Sequence, residues 1–469
     1  MEHPGGMTYI NADDHAVVIG GSIAGLLAAR VLSETFAHVT VVDRDEMPTR
    51  PVHRKGVPQS RHTHGLLARG YQLFEELLPG FGADLIARGA LTTDMQNDVL
   101  WYNEGHELRR AASDMDGLFA SRPLIESYVR SRVAALESVR ILAGTEAVGL
   151  RDQDGRIAAV RVTGPSGTEE LRARVVVDAS GRSNRGPAWL TGLGYPAPDE
   201  DVVNAGLVYS TREYRRVPGE QAFNGIIVAH HPGNPRGTGT AAQEGNRWMV
   251  TLVGVDDDAP PAEAGAFEDF AALVDGPALH GLVSTLTPLT EPLRFRIGPS
   301  VRRRYERCAR LPEGFIALGD SLCCFNPAYG QGMTTAAMSA HWLRECLRAG
   351  SDNLTRRYFD GVRRVIDVPW DITVGNDLRF PQVTGPRTAR VKLLNAYISR
   401  VHRAATTDPV VGATFLRVAN FLARPERLVS PGMLWRVWRG ARRTPALTGA
   451  VRQHRDVVAS DARASARGR

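Results

Sequence analysis

Ala16-Val17-Val18-Ile19, followed at once by Gly20-Gly21-Ser22-Ile23-Ala24-Gly25, leaves this chain few ways to fold. Four consecutive apolar residues read as a buried strand. The glycines allow a tight turn, and helical spacing of apolar residues carries a helix on through Glu34. A second strand, His38 to Val42, ends in Asp43, which stands 18 residues after the last glycine. Strand, glycine turn, helix and strand make a βαβ unit and set the fold class as α/β. The first turn of its helix offers unpaired backbone N–H groups and the positive end of a dipole.

This context is the dinucleotide fingerprint: a tight turn, a pyrophosphate at the helix N-terminus and an acid on the adenosine ribose hydroxyls. Ser22 replaces the second glycine and is small enough to keep the backbone approachable. An acid at position 43, rather than a basic residue, argues against a 2′-phosphate. The plain alternative is a turn in an ordinary α/β core.

A second junction decides more. Gly314 to Leu318 reads as a short strand and Thr334 to Arg348 as a helix. Between them stand Gly319-Asp320 and Asn326-Pro327-Ala328-Tyr329-Gly330-Gln331-Gly332-Met333. Gly330 and Gly332 let the backbone approach a flat ligand, and Asp320 can accept hydrogen bonds from sugar-type hydroxyls. A flavin needs a carboxylate for its ribityl chain and N–H groups facing the N1/O2 edge, where charge gathers on reduction. By itself the stretch is also compatible with a plain strand-loop-helix. A third junction, Leu171 to Val177 running into Asp178-Ala179-Ser180-Gly181-Arg182-Ser183-Asn184, suits the edge of the same nucleotide-binding fold.

With 469 residues the chain has room for roughly two to four domains. No apolar run approaches the ~18 residues of a membrane span. Met1 to His15 is acidic and lacks the apolar core of a secretory signal. The four cysteines, 308, 323, 324 and 346, form neither a disulfide framework nor a zinc spacing, so thiols in a reducing cytoplasm are expected. Residues 341–469 carry 24 Lys+Arg against 10 Asp+Glu, the remainder 33 against 41. Nearly all the basic charge is arginine, which a GC-rich genome supplies without any nucleic acid being bound.

Residues 50–64 are rich in Arg, His, Gly and Pro and lack periodicity. His62 and His64 have no supporting ligand at metal-site spacing, so the loop is read as positioning cofactor or substrate. Arg54 or Arg61 would reach a pyrophosphate bidentately. A helix is expected from Gly65 to Leu78 and another from about Arg122 to Leu136, with strands at 141–148, 157–162 and 171–177. Residues 201–299 alternate and carry many Gly and Pro, which predicts a mainly antiparallel sheet in a separate layer. Helices follow at 354–368, 388–405 and 410–423, and the last 25 or so residues are expected to fray. Trp435 and Trp438, set among arginines, suit docking on the protein's own body; a membrane-surface helix is the alternative. The expected organisation is a discontinuous nucleotide-binding domain (1–90, 110–198, 296–349), a substrate-binding sheet domain (91–109, 199–295) and a C-terminal helical region (350–469).

Together, Gly20 to Gly25 with Asp43, Asp178 to Ser183, and Gly319-Asp320 with Pro327 to Met333 resemble the glutathione-reductase-type FAD fold of single-component flavoprotein monooxygenases. That family includes p-hydroxybenzoate hydroxylase and squalene epoxidase. The Gly56-Val57-Pro58-Gln59 to His64 loop and Trp370 to Pro381 look like actinomycete flavin epoxidases and hydroxylases of natural-product pathways. The resemblance covers Ala16 to about Phe421. It implies a cofactor set of Gly20, Ser22, Ala24, Gly25, Asp43, Arg44, Arg54, Arg122, Val148, Asp178, Gly319, Asp320, Pro327, Gly330, Gly332 and Met333. In it Asp43 holds the adenosine ribose, Arg54 and Arg122 lie along the phosphates and sugar, and Asp320 binds the ribityl chain. Gly332 and Met333 offer N–H groups to N1/O2, and Pro327 lies beside the ring where oxygen reacts.

The resemblance implies an FAD-dependent monooxygenase that inserts one atom of O2, through a flavin C4a-hydroperoxide, into an apolar small molecule. The protein would need no catalytic acid-base pair. Epoxidation and hydroxylation stay open. Aromatic hydroxylases of this type carry Asp-Gly adjacent in the second motif, where this chain has Asp178-Ala179-Ser180-Gly181. Electrons therefore come from NAD(P)H either directly or through a separate flavin reductase. The rivals are a flavin-dependent double-bond reductase, a halogenase, and a non-catalytic flavin-bearing partner whose basic C-terminal part docks an acidic protein or an anionic membrane. A halogenase lacks support, because Lys55 lies in the loop assigned to the cofactor, Lys392 in the C-terminal helices, and a Trp-x-Trp-x-Ile-Pro segment is absent.

Overall fold

A computed structural model describes residues 14–350 and 352–444. Five parallel strands form its central sheet: β1 (His15–Ile19), β2 (His38–Val42), β3 (Val139–Leu142), β4 (Val175–Asp178) and β5 (Phe315–Ala317), in the order β5-β4-β1-β2-β3. Apart from Ile141 in the edge strand β3, their Val, Ile and Ala side chains are almost wholly buried, as expected of a parallel sheet covered on both faces. Helix α1 (Ile23–Leu32) leaves β1 through the glycine turn, and α2 (Arg122–Ala134) precedes β3. Helix α3 (Gly332–Arg348) follows β5 and packs along α1, so two helix N-termini open at the same end of the sheet.

A seven-stranded sheet forms a second layer. Its order runs Leu293–Arg296, Leu207–Arg215, Arg247–Val255, Gly237–Gln243, Gly225–Ala229, Val99–Asn103, His106–Glu107. All of its pairings are antiparallel except that of Gly225–Ala229 with Val99–Asn103. Four helices complete the described chain: α4 (Leu354–Asp377), α5 (Ala389–Ala405), α6 (Pro409–Ala419) and α7 (Pro431–Arg443). Their buried faces form an apolar cluster with Trp101, Phe119 and Ile227 from the region of that second sheet.

Several expectations need adjusting. The stretch at 171–177 is two strands in two sheets. Gly167–Arg172 pairs antiparallel with Arg156–Gly164, whereas β4 joins the parallel sheet. The chain changes partners at one point: Ala173 N–H bonds Ala158 O, and Arg174 N–H already bonds His15 O. The helix expected from Gly65 starts at Ala68, because Gly65–Leu66 first pairs as a short strand with Leu118 and Phe119. Residues 264–272 and 277–285 are helices that cover the outer face of the second sheet, within a stretch expected to be mainly antiparallel sheet. Helix α4 runs nine residues past Val368, straight through Pro369. A mid-helix proline costs about 3 kcal/mol, but the turns beyond it bury Trp370, Thr373 and Val374 and so are held by packing.

Helix α7 docks on α5 through Met433, Val437, Gly440 and Ala441, and leaves Trp435 and Trp438 exposed beneath Arg439 and Arg442. Among the described residues no helix is long and apolar enough to cross a membrane. All four cysteines are buried and unpaired by disulfides. The expectation for the last 25 residues falls outside the described residues.

Candidate active site

A single cavity of about 1030 Å³ runs from the turn after β1, past the N-terminus of α3, to a chamber between the second sheet and the C-terminal helices. It reaches the upper end of the ~300–1,000 Å³ typical of small-molecule sites. At its near end the turn is set by sterics. Gly20 has φ +104°, and a Cβ there would lie 2.4 Å from Ala179 O. Gly25 does not line the cavity; a Cβ on it would sit 1.7 Å from Gly20 O, so it lets α1 close down onto the strand. Ser22 and Ala24 face the cavity, as do Asp43 and Arg44 at the end of β2. Asp43 accepts from Gly21 N–H at 2.6 Å and Asp45 N–H at 2.8 Å, which clamps the turn to the second strand.

Arg54 and Arg122 come together here over a residue that the sequence reading missed. Glu126 is 4% exposed, accepts from Arg54 Nε at 2.8 Å and Arg122 Nε at 3.2 Å, and lies 3.5 Å from Arg130. Ser22 Oγ donates to it at 2.7 Å and accepts from Arg122 Nη2 at 2.8 Å. The serine in the second glycine's place thus ties the turn to α2. Burial pushes the Glu126 carboxyl up, but Arg122, Arg54, Ser22 and Arg130 outweigh it and hold it below the usual carboxylate range. A signal was available: Arg122, Glu126 and Arg130 repeat every four residues and share one helix face.

Farther in, Gly319 and Asp320 follow β5. The Asp320 side chain is 36% open to the cavity, with Arg182 Nε at 3.8 Å. Its enclosed setting raises its pKa, opposed by Arg182, Arg122 and Arg303. Pro327–Tyr329 forms a short 3-10 turn capped by Asn326, whose side chain accepts from Ala328 N–H at 2.9 Å. Gly330, Gln331, Gly332 and Met333 then line the cavity as α3 begins. The first intrahelical bonds of α3 are donated from Thr335 onward, so the N–H groups of Gly332 and Met333 remain available at its positive end. A half-open carboxylate, free N–H donors and an elongated cavity match the needs of a flavin dinucleotide.

Besides Gly25, three sequence expectations fail to reach the cavity. Asp178 is fully buried behind it and accepts from Ser180 N–H and Oγ and from Ser321 Oγ, while Ala179 to Ser183 form the lining. Val148 falls at the bulge where the pairing of Glu146–Gln153 with Arg156–Gly164 slips by one residue, and its neighbours Thr145 to Ala147 face the cavity instead. Arg61 is exposed and away from it. The rest of that loop reaches inward: Thr63 Oγ1 donates to Gly239 O at 2.7 Å, and His62 Nδ1 meets Thr211 Oγ1 at 2.8 Å.

From the other side α4 braces the turn at Pro327. Asp377, fully buried, accepts from Asn326 Nδ2 at 3.0 Å and Tyr329 Oη at 3.1 Å. Asn376 Nδ2 donates to Tyr329 Oη, and Thr373 Oγ1 donates to Gln331 Oε1. Burial pushes the Asp377 carboxyl up to about 7.

The sequence model of the FAD binding domain family matches residues 13–353. The chain belongs to that family. It is a flavin-dependent oxidoreductase, in agreement with the FAD fold implied by its three junctions. It is 34% identical over 435 residues to Protein Rv3254 of Mycobacterium tuberculosis, spanning 88% of this chain and 90% of that protein. Its fold is similar to that of PqsL, a probable FAD-dependent monooxygenase from Pseudomonas aeruginosa, at TM-score 0.60 and 16% identity over 78% of this chain and 97% of that one. The flavin-dependent brominase Bmp2 shares it as well, at TM-score 0.57 and 13% identity over 96% and 99% of the two chains. The fold therefore carries both oxygenation and halogenation, and only the site can separate them.

Proposed function

We propose that this FAD-binding chain is a monooxygenase that inserts one oxygen atom from O2 into a largely apolar, natural-product-type substrate, by epoxidation or hydroxylation. The observation that carries the reading is continuity: the turn after β1, Asp320 and the start of α3 line the same cavity as an apolar chamber beyond Pro327. When bound and reduced, FAD supplies the oxygen chemistry.

The chain's own residues bind, orient and exclude water. Asp43 holds the adenosine ribose, the N–H groups at the start of α1 face the pyrophosphate, and Arg54 and Arg122 lie along it with N–H donors not used by Glu126. Asp320 takes the ribityl hydroxyls. Gly332 and Met333 present N–H groups, backed by the α3 dipole, to the edge of the ring that becomes negative on reduction. Pro327, braced by Asp377, walls the side where oxygen reacts. The second sheet and the C-terminal helices close the substrate chamber against water. The division into a discontinuous FAD domain, a sheet domain and a helical region follows from these roles.

A brominase-like reading finds less support. Lys55, in the loop beside Asp43, is the lysine lining the cavity, and Lys392 does not reach it. The test is incubation with NAD(P)H and 18O2, with and without an added flavin reductase. The expected product gains one labelled oxygen, about 16 Da when unlabelled O2 is used. Conversion without oxygen favours the double-bond reductase, and dependence on halide favours a halogenase.

A further inference from the structure

Helix α7 is held to the protein on one side only. Met433, Val437, Gly440 and Ala441 are buried against α5, and a Cβ on Gly440 would lie 2.8 Å from Ala404 Cβ, so the two helices meet closely. These residues recur at three- and four-residue steps and make one stripe. The opposite face carries Leu434, Trp435, Trp438, Arg439 and Arg442, all exposed. Trp435 is 55% open, Trp438 54% and Leu434 44%. The other five tryptophans of the chain are buried or half-buried. Two exposed tryptophans one turn apart, with a leucine beside them, form a contiguous apolar strip rather than a scatter of single residues.

Charge marks the same face. Residues 427–443 hold five arginines and no acid. Arg436 pairs with Asp408 at 2.8 Å, whereas among the described residues no carboxylate pairs with Arg439 or Arg442. Their guanidinium groups lie over the two rings instead, Arg439 at 5.2 Å from the centre of Trp435 and Arg442 at 4.1 Å from that of Trp438. A second copy docked symmetrically would set these arginines against their own kind. An acidic protein surface answers the arginines and leaves Leu434 and the rings without an apolar partner. An anionic bilayer answers both, because tryptophan settles at headgroup depth and guanidinium pairs with phosphate. The strip also leads to the cavity: Val429, two residues before α7, and Leu394 of α5 are half-exposed and line its wall.

We propose that the outward face of α7 is a docking surface for an anionic lipid bilayer. Leu434, Trp435 and Trp438 enter the headgroup layer, and Arg439 and Arg442 meet lipid phosphates. The chain rests on the membrane and does not cross it. Docked in this way, the cavity wall at Val429 lies next to the layer in which apolar molecules dissolve. Helix α7 stands beyond the residues that the family match covers, so the surface belongs to this chain rather than to the shared nucleotide-binding fold. The proposal goes beyond the monooxygenase reading and needs no turnover. Each arginine near an anionic surface adds about fivefold to binding.

The test is sedimentation of the full chain with vesicles of phosphatidylcholine alone and of phosphatidylcholine containing about one-third phosphatidylglycerol. The chain should pellet with the anionic vesicles, bind neutral ones far more weakly, and be released as salt is raised. The double variant Arg439→Gln/Arg442→Gln should bind the anionic vesicles about thirtyfold more weakly. Trp435→Ser/Trp438→Ser should bind them about tenfold more weakly, with the melting temperature kept. Failure of the unaltered chain to pellet with anionic vesicles overturns the proposal, whatever the variants do. So does binding that both variants retain in full, which would place the contact elsewhere on the chain. A dimer in gel filtration that the tryptophan variant dissolves, without vesicle binding, would assign the face to a second copy instead. None of these outcomes bears on FAD uptake, so the monooxygenase reading stands or falls separately.

Discussion

Glu126 faces three guanidinium groups at once, and its removal should show what holds the near end of the cavity together. In Glu126→Ala, Arg54, Arg122 and Arg130 lose their shared counter-charge inside the protein. Breaking a buried ion pair on one side costs about 3–5 kcal/mol, so a loss of that order is expected in denaturant unfolding, together with weaker FAD uptake. A change below about 1 kcal/mol would mean that the arginines find water instead. Asp377 gives a prediction with a sign. Unfolded, its carboxyl titrates near the ordinary 3.8; folded, burial holds it at about 7. Between those values the folded chain keeps a proton that the unfolded chain has released, so this residue's contribution to stability is full below about pH 4 and is lost as pH rises through 7. Asp377→Asn keeps an acceptor for Asn326 and Tyr329 and removes the titration. Its melting temperature relative to the unaltered chain should rise by about 2 °C or more between pH 5 and pH 8. A pH-independent difference would contradict the assignment.

Among the elements, the turn between β1 and α1 tolerates least. In Gly25→Ala the new methyl meets backbone at Gly20, which no rotamer can relieve. The helix must lift, at about 1–3 kcal/mol, and FAD affinity should fall with it, as read by fluorescence titration; unchanged binding would show that the helix end is not where the cofactor sits. Four of the five parallel-sheet strands and the two helices that open on the cavity were legible in the sequence because each has a local signature: an apolar run, glycines at fixed offsets, an acid at the strand end. Asp320 and Met333 were found the same way. Strand β3 was not, since the single strand expected at 141–148 is split between β3, which ends at Leu142, and a strand of another sheet that begins at Glu146. What was missed depends on contacts distant in sequence. Glu126 gains meaning only when Arg54, 72 residues away, folds over it. The transfer of the chain between sheets at Ala173 leaves no compositional trace, and a bulge that turns Val148 aside is invisible to alternation alone. Helix α4 was cut short at Pro369 because local propensity gave no hint that packing beyond it would prevail.

At the scale of the whole molecule, one cavity joins the nucleotide-binding turn of the parallel sheet to a chamber roofed by helices α4 to α6. Residues from three layers thus meet a single ligand path, and cofactor and substrate should stabilise the chain together. FAD at a hundredfold excess over its dissociation constant should add about 2.7 kcal/mol to unfolding stability. The residues between Gly20 and Met333 have their chemical purpose only if a flavin lies along them. The most direct measurement is the visible absorption spectrum of the purified chain after incubation with FAD and gel filtration, with Asp320→Ala alongside. The account predicts flavin bands at about one FAD per chain, much reduced in the variant. A colourless chain that refuses FAD in excess, or a variant that binds it equally well, would contradict it.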